Sequence, residues 1–258
     1  MLATHEWKPA PDTSSPRLAV LVHGVTGWHR TWWRVGPALA AQGWRVVAVD
    51  QRGHGNSPRI NGFTTISELA DDLATTIEGI GAPADALIGH SLGAAVSAEL
   101  AFTRPELARR LVLEDPPAIT RADDVAWHQK LEGEIRAATD NPDGEVRRER
   151  AENPSWQEED VAQNVEGRAL ADREGLLATF RRNTGARVLD LAPKLARPAL
   201  YLLAAEDRSA FPAGPRRRLE ATLPSNARLV VVESGHTIHR DRFDEWMAIV
   251  TDWLGSAA

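Results

Sequence analysis

Short branched-aliphatic runs alternate with helical spacing through the first half of the chain. Arg17–Val22 (RLAVLV), Trp44–Val49 (WRVVAV), Ala84–Ile88 (ADALI) and Arg110–Leu113 (RLVL) hold few polar positions and end in turn residues. Such runs predict parallel strands buried on both faces. Between them, helical patterns span Trp32–Gln42, Ser67–Ile80 and Leu92–Thr103, the last stopped by Arg104-Pro105. Ser67, Glu68, Asp71 and Asp72 give the second of these a helix start by capping and dipole logic. Strand–helix–strand alternation predicts an α/β domain with a mostly parallel sheet and right-handed crossovers.

The alternation stops after Pro116-Pro117 and resumes at Ala199–Leu203 (ALYLL) and Arg228–Val232 (RLVVV), with a last helix over Arg242–Leu254. The charged, Trp-bearing stretch between is helix-compatible, and Asn141-Pro-Asp-Gly and Asn153-Pro-Ser divide it. Its Leu and Trp content predicts a packed helical cap over 118–194, set into a core made of 1–117 and 195–258.

Composition narrows the function classes. Lys and Arg number 30 against 36 Asp and Glu, a net charge of −6, which argues against nucleic acid as a partner. With no cysteine, disulfides, thiolate metal sites and a cysteine nucleophile are excluded. No apolar run approaches the roughly 18 residues of a membrane span, and the N-terminus lacks the apolar core of a signal peptide. A cytoplasmic protein with no membrane contact is the expectation. Oligomeric state is left open by the sequence.

The chemistry concentrates at Gly89-His90-Ser91-Leu92-Gly93, between the strand ADALI and the helix Leu92–Thr103. A turn that sharp forces Ser91 into a strained conformation at the sheet's C-terminal edge. Side chains at Gly89 and Gly93 would collide with the turn. A serine hydroxyl needs a base. Of the eight histidines, His236 and His239 lie downstream of the insertion. His236 in Glu233-Ser234-Gly235-His236 follows the strand RLVVV and is the expected base, with His239 a packing residue on the next turn. An acid must then orient the imidazole. Asp207, after ALYLL, is the preferred acid, with Glu206 its surface neighbour. Glu114-Asp115 at the end of RLVL is a rival position, Glu114 being the alternative acid or else a structural carboxylate gripping loop amides. Two backbone N–H groups suit a developing oxyanion: Leu92, after the nucleophile, and Val25 in His23-Gly24-Val25-Thr26-Gly27. No second ligand at a suitable spacing accompanies His23, so metal binding is not expected.

At these residues the sequence resembles the α/β-hydrolase superfamily over essentially its whole length. His23-Gly24 is similar to the family's oxyanion-loop motif, and Asp50-Gln-Arg52-Gly53-His54-Gly55-Asn-Ser57 to its D-x-R-G-x-G-x-S loop, a fold marker. Ala204-x-x-Asp207 resembles the G-x-x-D acid position with Ala for Gly, and Gly235-His236 the histidine loop. The resemblance implies a Ser91–Asp207–His236 triad with Val25 and Leu92 as oxyanion donors. Departures also matter. Few residues precede RLAVLV, so reduced N-terminal edge strands are expected. Val25 and Thr26 stand where many lipases have H-G-G-G, and the cap shows no interfacial lid. Serine at 91 excludes the dehalogenase and epoxide-hydrolase branches, which resemble this pattern but use Asp there.

The expected activity is therefore hydrolysis of a small or medium carboxylic ester or lactone without a cofactor. Carbon–carbon bond hydrolysis, cofactor-free perhydrolysis and a non-catalytic ligand receptor on this fold are the alternatives. The chain holds 9 Trp. Trp28, Trp32 and Trp33 follow the oxyanion loop, and Trp127 and Trp156 fall in the cap. Trp28, Trp32, Trp127 and Trp156 are the expected pocket walls, favouring apolar or aromatic substrates.

Overall fold

A computed structural model describes residues 1–81, 83–118, 124–182 and 187–256. A sheet of seven strands carries the fold: β1 (Thr4–Trp7), β2 (Arg17–Val22), β3 (Trp44–Val49), β4 (Ala86–His90), β5 (Leu111–Glu114), β6 (Ala199–Leu203) and β7 (Ala227–Val231). Their order is β1-β3-β2-β4-β5-β6-β7, with β1 antiparallel to β3 and all other pairs parallel. The N-terminal edge is thus a single four-residue strand.

Alternate residues of the central strands face opposite cores, as the two-residue period of a strand requires. On one face Val20, Val22, Leu87, Leu111, Leu113, Tyr201 and Leu203 pack with α2 (Ile66–Ile80) and α3 (Leu92–Thr103). On the other, Leu21, Ile88, Val112, Leu200 and Leu202 pack with α1 (Val35–Ala41) and the C-terminal helix Phe243–Gly255. Burial on both faces explains why these strands read as unbroken apolar runs.

Some boundaries differ from those expected. The predicted helix over Trp32–Gln42 is a 3₁₀ turn at His29–Trp32 followed by α1. The N-cap of α2 is Thr65, not Ser67: its Oγ1 accepts the Glu68 N–H at 3.1 Å, and the Glu68 carboxylate accepts the Thr65 N–H at 2.8 Å. Two shifts matter for the site. β4 runs on to His90, directly against Ser91, and β5 runs on to Glu114 rather than stopping at Leu113.

Between β5 and β6 lie α4 (Val125–Asp140), α5 (Pro142–Glu152), α6 (Glu158–Leu170), α7 (Arg173–Arg182) and the short α8 (Val188–Leu191). The helix α4 packs against α5, α6 and α7, and α6 touches the 3₁₀ turn after β2. The predicted insertion 118–194 includes 119–123 and 183–186, which lie outside the described residues. After β6 come α9 (Ala213–Thr222), then β7, the single turn α10 (Ile238–Asp241) and α11 (Phe243–Gly255). No helix among the described residues is long and apolar enough to cross a membrane.

Candidate active site

Ser91 sits between β4 and α3 with φ 51° and ψ −118°. That conformation costs a non-glycine residue about 1–3 kcal/mol and persists where its surroundings over-determine it. They do. The Ser91 N–H donates to the Glu114 carbonyl at 2.8 Å. A Cβ on Gly89 would stand 2.4 Å from the Gly93 carbonyl oxygen, and one on Gly93 would stand 2.2 Å from that of Val22. Both glycines of G-x-S-x-G are therefore required by close backbone approach. A Cβ on Gly24 would stand 3.1 Å from the Ser91 Cβ, so the His23-Gly24-Val25 loop lies against Ser91. Leu92 opens α3, where the first N–H groups lack intrahelical acceptors. Gly24 and Leu92 thus adjoin Ser91 from two sides, and Val25 lines the same cavity.

His236 reaches back from the loop after β7. Its Nε2 lies 2.9 Å from Ser91 Oγ, and its Nδ1 2.6 Å from Asp115 Oδ2. A carboxylate accepts, so Nδ1 carries the proton and Nε2 is free to accept from the serine hydroxyl. The loop is held from below by His90, whose Nε2 donates to the His236 carbonyl at 3.1 Å and whose ring lies 4.7 Å from the His236 ring. Burial keeps the His90 pKa well below the ordinary histidine value.

The residue facing the imidazole is Asp115, and both acids expected from the sequence lie elsewhere. Asp207 is in an exposed turn, its side chain 83% accessible, and its ion-pair contact is Arg208 at 3.9 Å. The segment after β6 supplies donors instead. Asp115 Oδ1 accepts from the Ala204 N–H at 3.1 Å and Ser209 Oγ at 2.5 Å, and Oδ2 accepts from the Ala210 N–H at 2.8 Å as well as from His236. Glu114 fails for a different reason. Lying two residues beyond Val112 on β5, it points to the same face, toward α10 and α11. There it accepts from the His239 N–H and Nδ1 and from Trp246 Nε1, at 2.9–3.0 Å. That is the gripping of loop amides proposed as its other role. Burial pushes the Glu114 pKa up and lowers that of His239 to about 3, so His239 is a neutral packing residue under a stacked Trp32. Asp115 follows one residue on, turned out of the strand with φ 40°.

His23 is also structural. Its Nε2 accepts the Gln51 N–H at 3.0 Å, its Nδ1 donates to the Gly24 carbonyl at 2.7 Å, and burial lowers its pKa to about 4.

A cavity of about 340 Å³ opens over Ser91 and His236, between the sheet-edge loops and α4–α6. Trp127 and Trp156 line it, as expected; Trp28 and Trp32 do not. Trp28 is buried against α6, its Nε1 donating to the Gln163 carbonyl at 3.1 Å, and Trp32 is fully buried against His239 and near Trp246. Trp33 likewise donates to Asp160 Oδ1 at 2.8 Å. An indole N–H needs an acceptor when buried, and Trp28 and Trp33 find theirs on α6. Nor is the cavity apolar. Lys130, Glu134, Glu149, Arg168, Arg240 and Asp241 face it, which overturns the expected aromatic, apolar wall.

A family model for the alpha/beta hydrolase fold matches residues 19–243. The chain belongs to the α/β-hydrolase family. Over 98 residues the chain is 39% identical to epoxide hydrolase B of Mycobacterium tuberculosis, a match covering 37% of this chain and 27% of that protein. The chain therefore spans about a quarter of that relative's length. A protein of Enterobacter cloacae subsp. cloacae, provisionally named carbamate hydrolase RutD, is 26% identical over 255 residues, or 96% of this chain and 94% of that one. Among solved structures, the enol-lactonase of Burkholderia xenovorans LB400 superposes with a TM-score of 0.76 at 22% identity, covering 98% of this α/β hydrolase and 96% of its own chain. That likeness speaks for the fold.

Proposed function

We propose that this α/β hydrolase cleaves a small or medium carboxylic ester or lactone through an acyl-enzyme on Ser91, with His236 as base and Asp115 as its orienting acid. The observation that supports this reading is the continuous relay from Ser91 Oγ to His236 Nε2 at 2.9 Å and from His236 Nδ1 to Asp115 at 2.6 Å. Ser91 Oγ adds to the carbonyl carbon as its proton passes to His236 Nε2. The carbonyl oxygen takes the negative charge, which the N–H groups of Val25 and Leu92 stabilise. Collapse expels the alkoxide, which takes the proton back from His236; in a lactone it stays tethered to the acyl group. Water, deprotonated by the same Nε2, then releases the acid and restores Ser91.

The buried carboxylate of Asp115 holds the imidazole in the tautomer that leaves Nε2 basic, and stabilises the imidazolium. Its other three acceptor sites are filled by fixed donors, so it cannot rotate away. Three helices of the 118–194 insertion, α4 to α6, line the cavity and act as the cap that selects the substrate. A fluorophosphonate probe tests the reading. Stoichiometric labelling at Ser91, together with ester turnover that Ser91→Ala abolishes, is the expected result. An unlabelled serine in folded protein would leave the receptor reading standing.

A further inference from the structure

Most charged groups in the cavity are held in ion pairs or fully hydrogen-bonded. Glu149 meets Arg168 at 2.6 Å and Arg148 at 2.9 Å. Glu134 lies 3.5 Å from Arg168 and 3.7 Å from Lys130, and Glu152 meets Arg148 at 2.6 Å. Asp241 has no cation but accepts three hydrogen bonds, from Ser155 Oγ, Trp156 Nε1 and the Gly235 N–H, at 2.7–3.0 Å.

Arg240 is different. It lies four residues past His236, lines the same cavity as Ser91, and is 5% exposed. Its guanidinium stands over the Trp156 ring at 4.6 Å, and its Nη1 donates to the neutral Asn164 Oδ1 at 3.1 Å. Asn164 in turn donates to Glu149 at 2.9 Å, so an uncharged amide stands between the cation and that acid. Among the described residues no carboxylate touches Arg240: Asp160, Glu149 and Glu114 act on it only through space, and its Nε is buried without an acceptor. Burial lowers its pKa to about 10, still well above neutral pH, so the group is charged.

A buried cation with open donors is costly unless an anion completes it. A guanidinium presents its donors as a planar fork that matches a carboxylate. We propose that Arg240 anchors a carboxylate of the substrate, so that the preferred ester or lactone is one carrying an anionic group on the side of the molecule away from the scissile bond. This rests on the serine-hydrolase reading above. The Trp156 face under the guanidinium and the amide of Asn164 fix the fork's plane, which makes Arg240 a specificity residue.

The test compares mono-4-nitrophenyl adipate with 4-nitrophenyl methyl adipate, which differ in whether the far carboxylate is free. Wild type should favour the anionic ester in kcat/KM, and Arg240→Met should shrink that anionic-to-neutral ratio by roughly 100-fold. Arg240→Lys, a charge without the fork, should fall between. An unchanged ratio in Arg240→Met overturns the proposal. If that variant does not fold, wild type alone decides. Adipate should then inhibit hydrolysis of the neutral ester competitively and better than adipamide, and equal inhibition by the two overturns it. Calorimetry of adipate on the Ser91→Ala protein separates the two readings. Binding that Arg240→Met removes supports the anion site even if no ester is cleaved. Fluorophosphonate labelling of wild type with no adipate binding or inhibition keeps the hydrolase and rejects the anion site.

Discussion

The ends of β5 and β6 both present acidic residues at the sheet's C-terminal edge, but they meet opposite fates. Past β5, Asp115 is fully buried and accepts four hydrogen bonds, one of them from His236. Past β6, Asp207 stands in solvent, and its loop instead offers the Ala204 and Ala210 amides and the Ser209 hydroxyl to Asp115. Proximity to the strand of Ser91 alone does not separate the candidates, because Glu114 shares β5 and still faces away. Direction and immobilisation decide: the residue that orients the imidazole leaves the strand and is clamped by its neighbour's loop.

That contrast can be broken in several ways. The largest effect belongs to the proposed nucleophile, where Ser91→Ala should lower kcat by about 10⁶ on the best substrate, read by initial rates at saturation. Wild-type turnover in that variant would dissolve the whole site. Asp115→Asn should cost about 10⁴ in kcat, because an amide keeps the shape but not control of the His236 tautomer.

Stability tests the buried half of the same edge. His23, His54 and His239 have pKa values lowered by burial to about 4, 3 and 3. Each therefore binds its proton more readily when unfolded, where its pKa is about 6.5. Their stabilising contribution is complete above that pH and is lost as pH falls toward 3–4. The unfolding free energy from urea titrations, and with it the midpoint, should drop below pH 6.5, the free energy with a slope approaching about 1.4 kcal/mol per pH unit for each histidine. A midpoint flat from pH 7 to 5 would contradict neutral burial.

Glu114→Gln should lower stability by about 1–3 kcal/mol in the same assay, since an amide nitrogen then faces the His239 or Trp246 donors. Its folded fraction should retain far more turnover than Asp115→Asn. Smallest of all, Asp207→Asn should change kcat and stability within about twofold and a few tenths of a kcal/mol, as for an ordinary exposed charge. A dead but folded Asp207→Asn would reinstate the acid expected from the G-x-x-D resemblance.

The parts legible in the sequence were those set by local repetition. Unbroken apolar runs marked the strands, and G-x-S-x-G between a strand and a helix marked Ser91. His236 followed from its place after the last strand. Asp115 was harder because a one-residue shift in where β5 ends decides which acid stays on the strand face. The two-residue period carried a usable signal: Glu114 continues the series from Val112 and belongs with the core on that face, leaving Asp115 to turn out before Pro116. The cavity's polarity had no such signal. Glu149, Arg168 and Arg240 lie on separate elements, and only the packing of α5, α6 and α10 brings them to one wall. The tryptophans misled for the converse reason. An aromatic next to a catalytic loop can as well tie that loop to a helix, as Trp28 does through Gln163.

The central claim is that Asp115 holds the His236 Nδ1 proton. Proton NMR of the exchangeable imidazole resonances tests it most directly, with His236→Gln assigning the signal. A far-downfield Nδ1–H resonance should be present in wild type and in Asp207→Asn and vanish in folded Asp115→Asn. Persistence of that resonance in Asp115→Asn, or its loss in Asp207→Asn, would contradict the account.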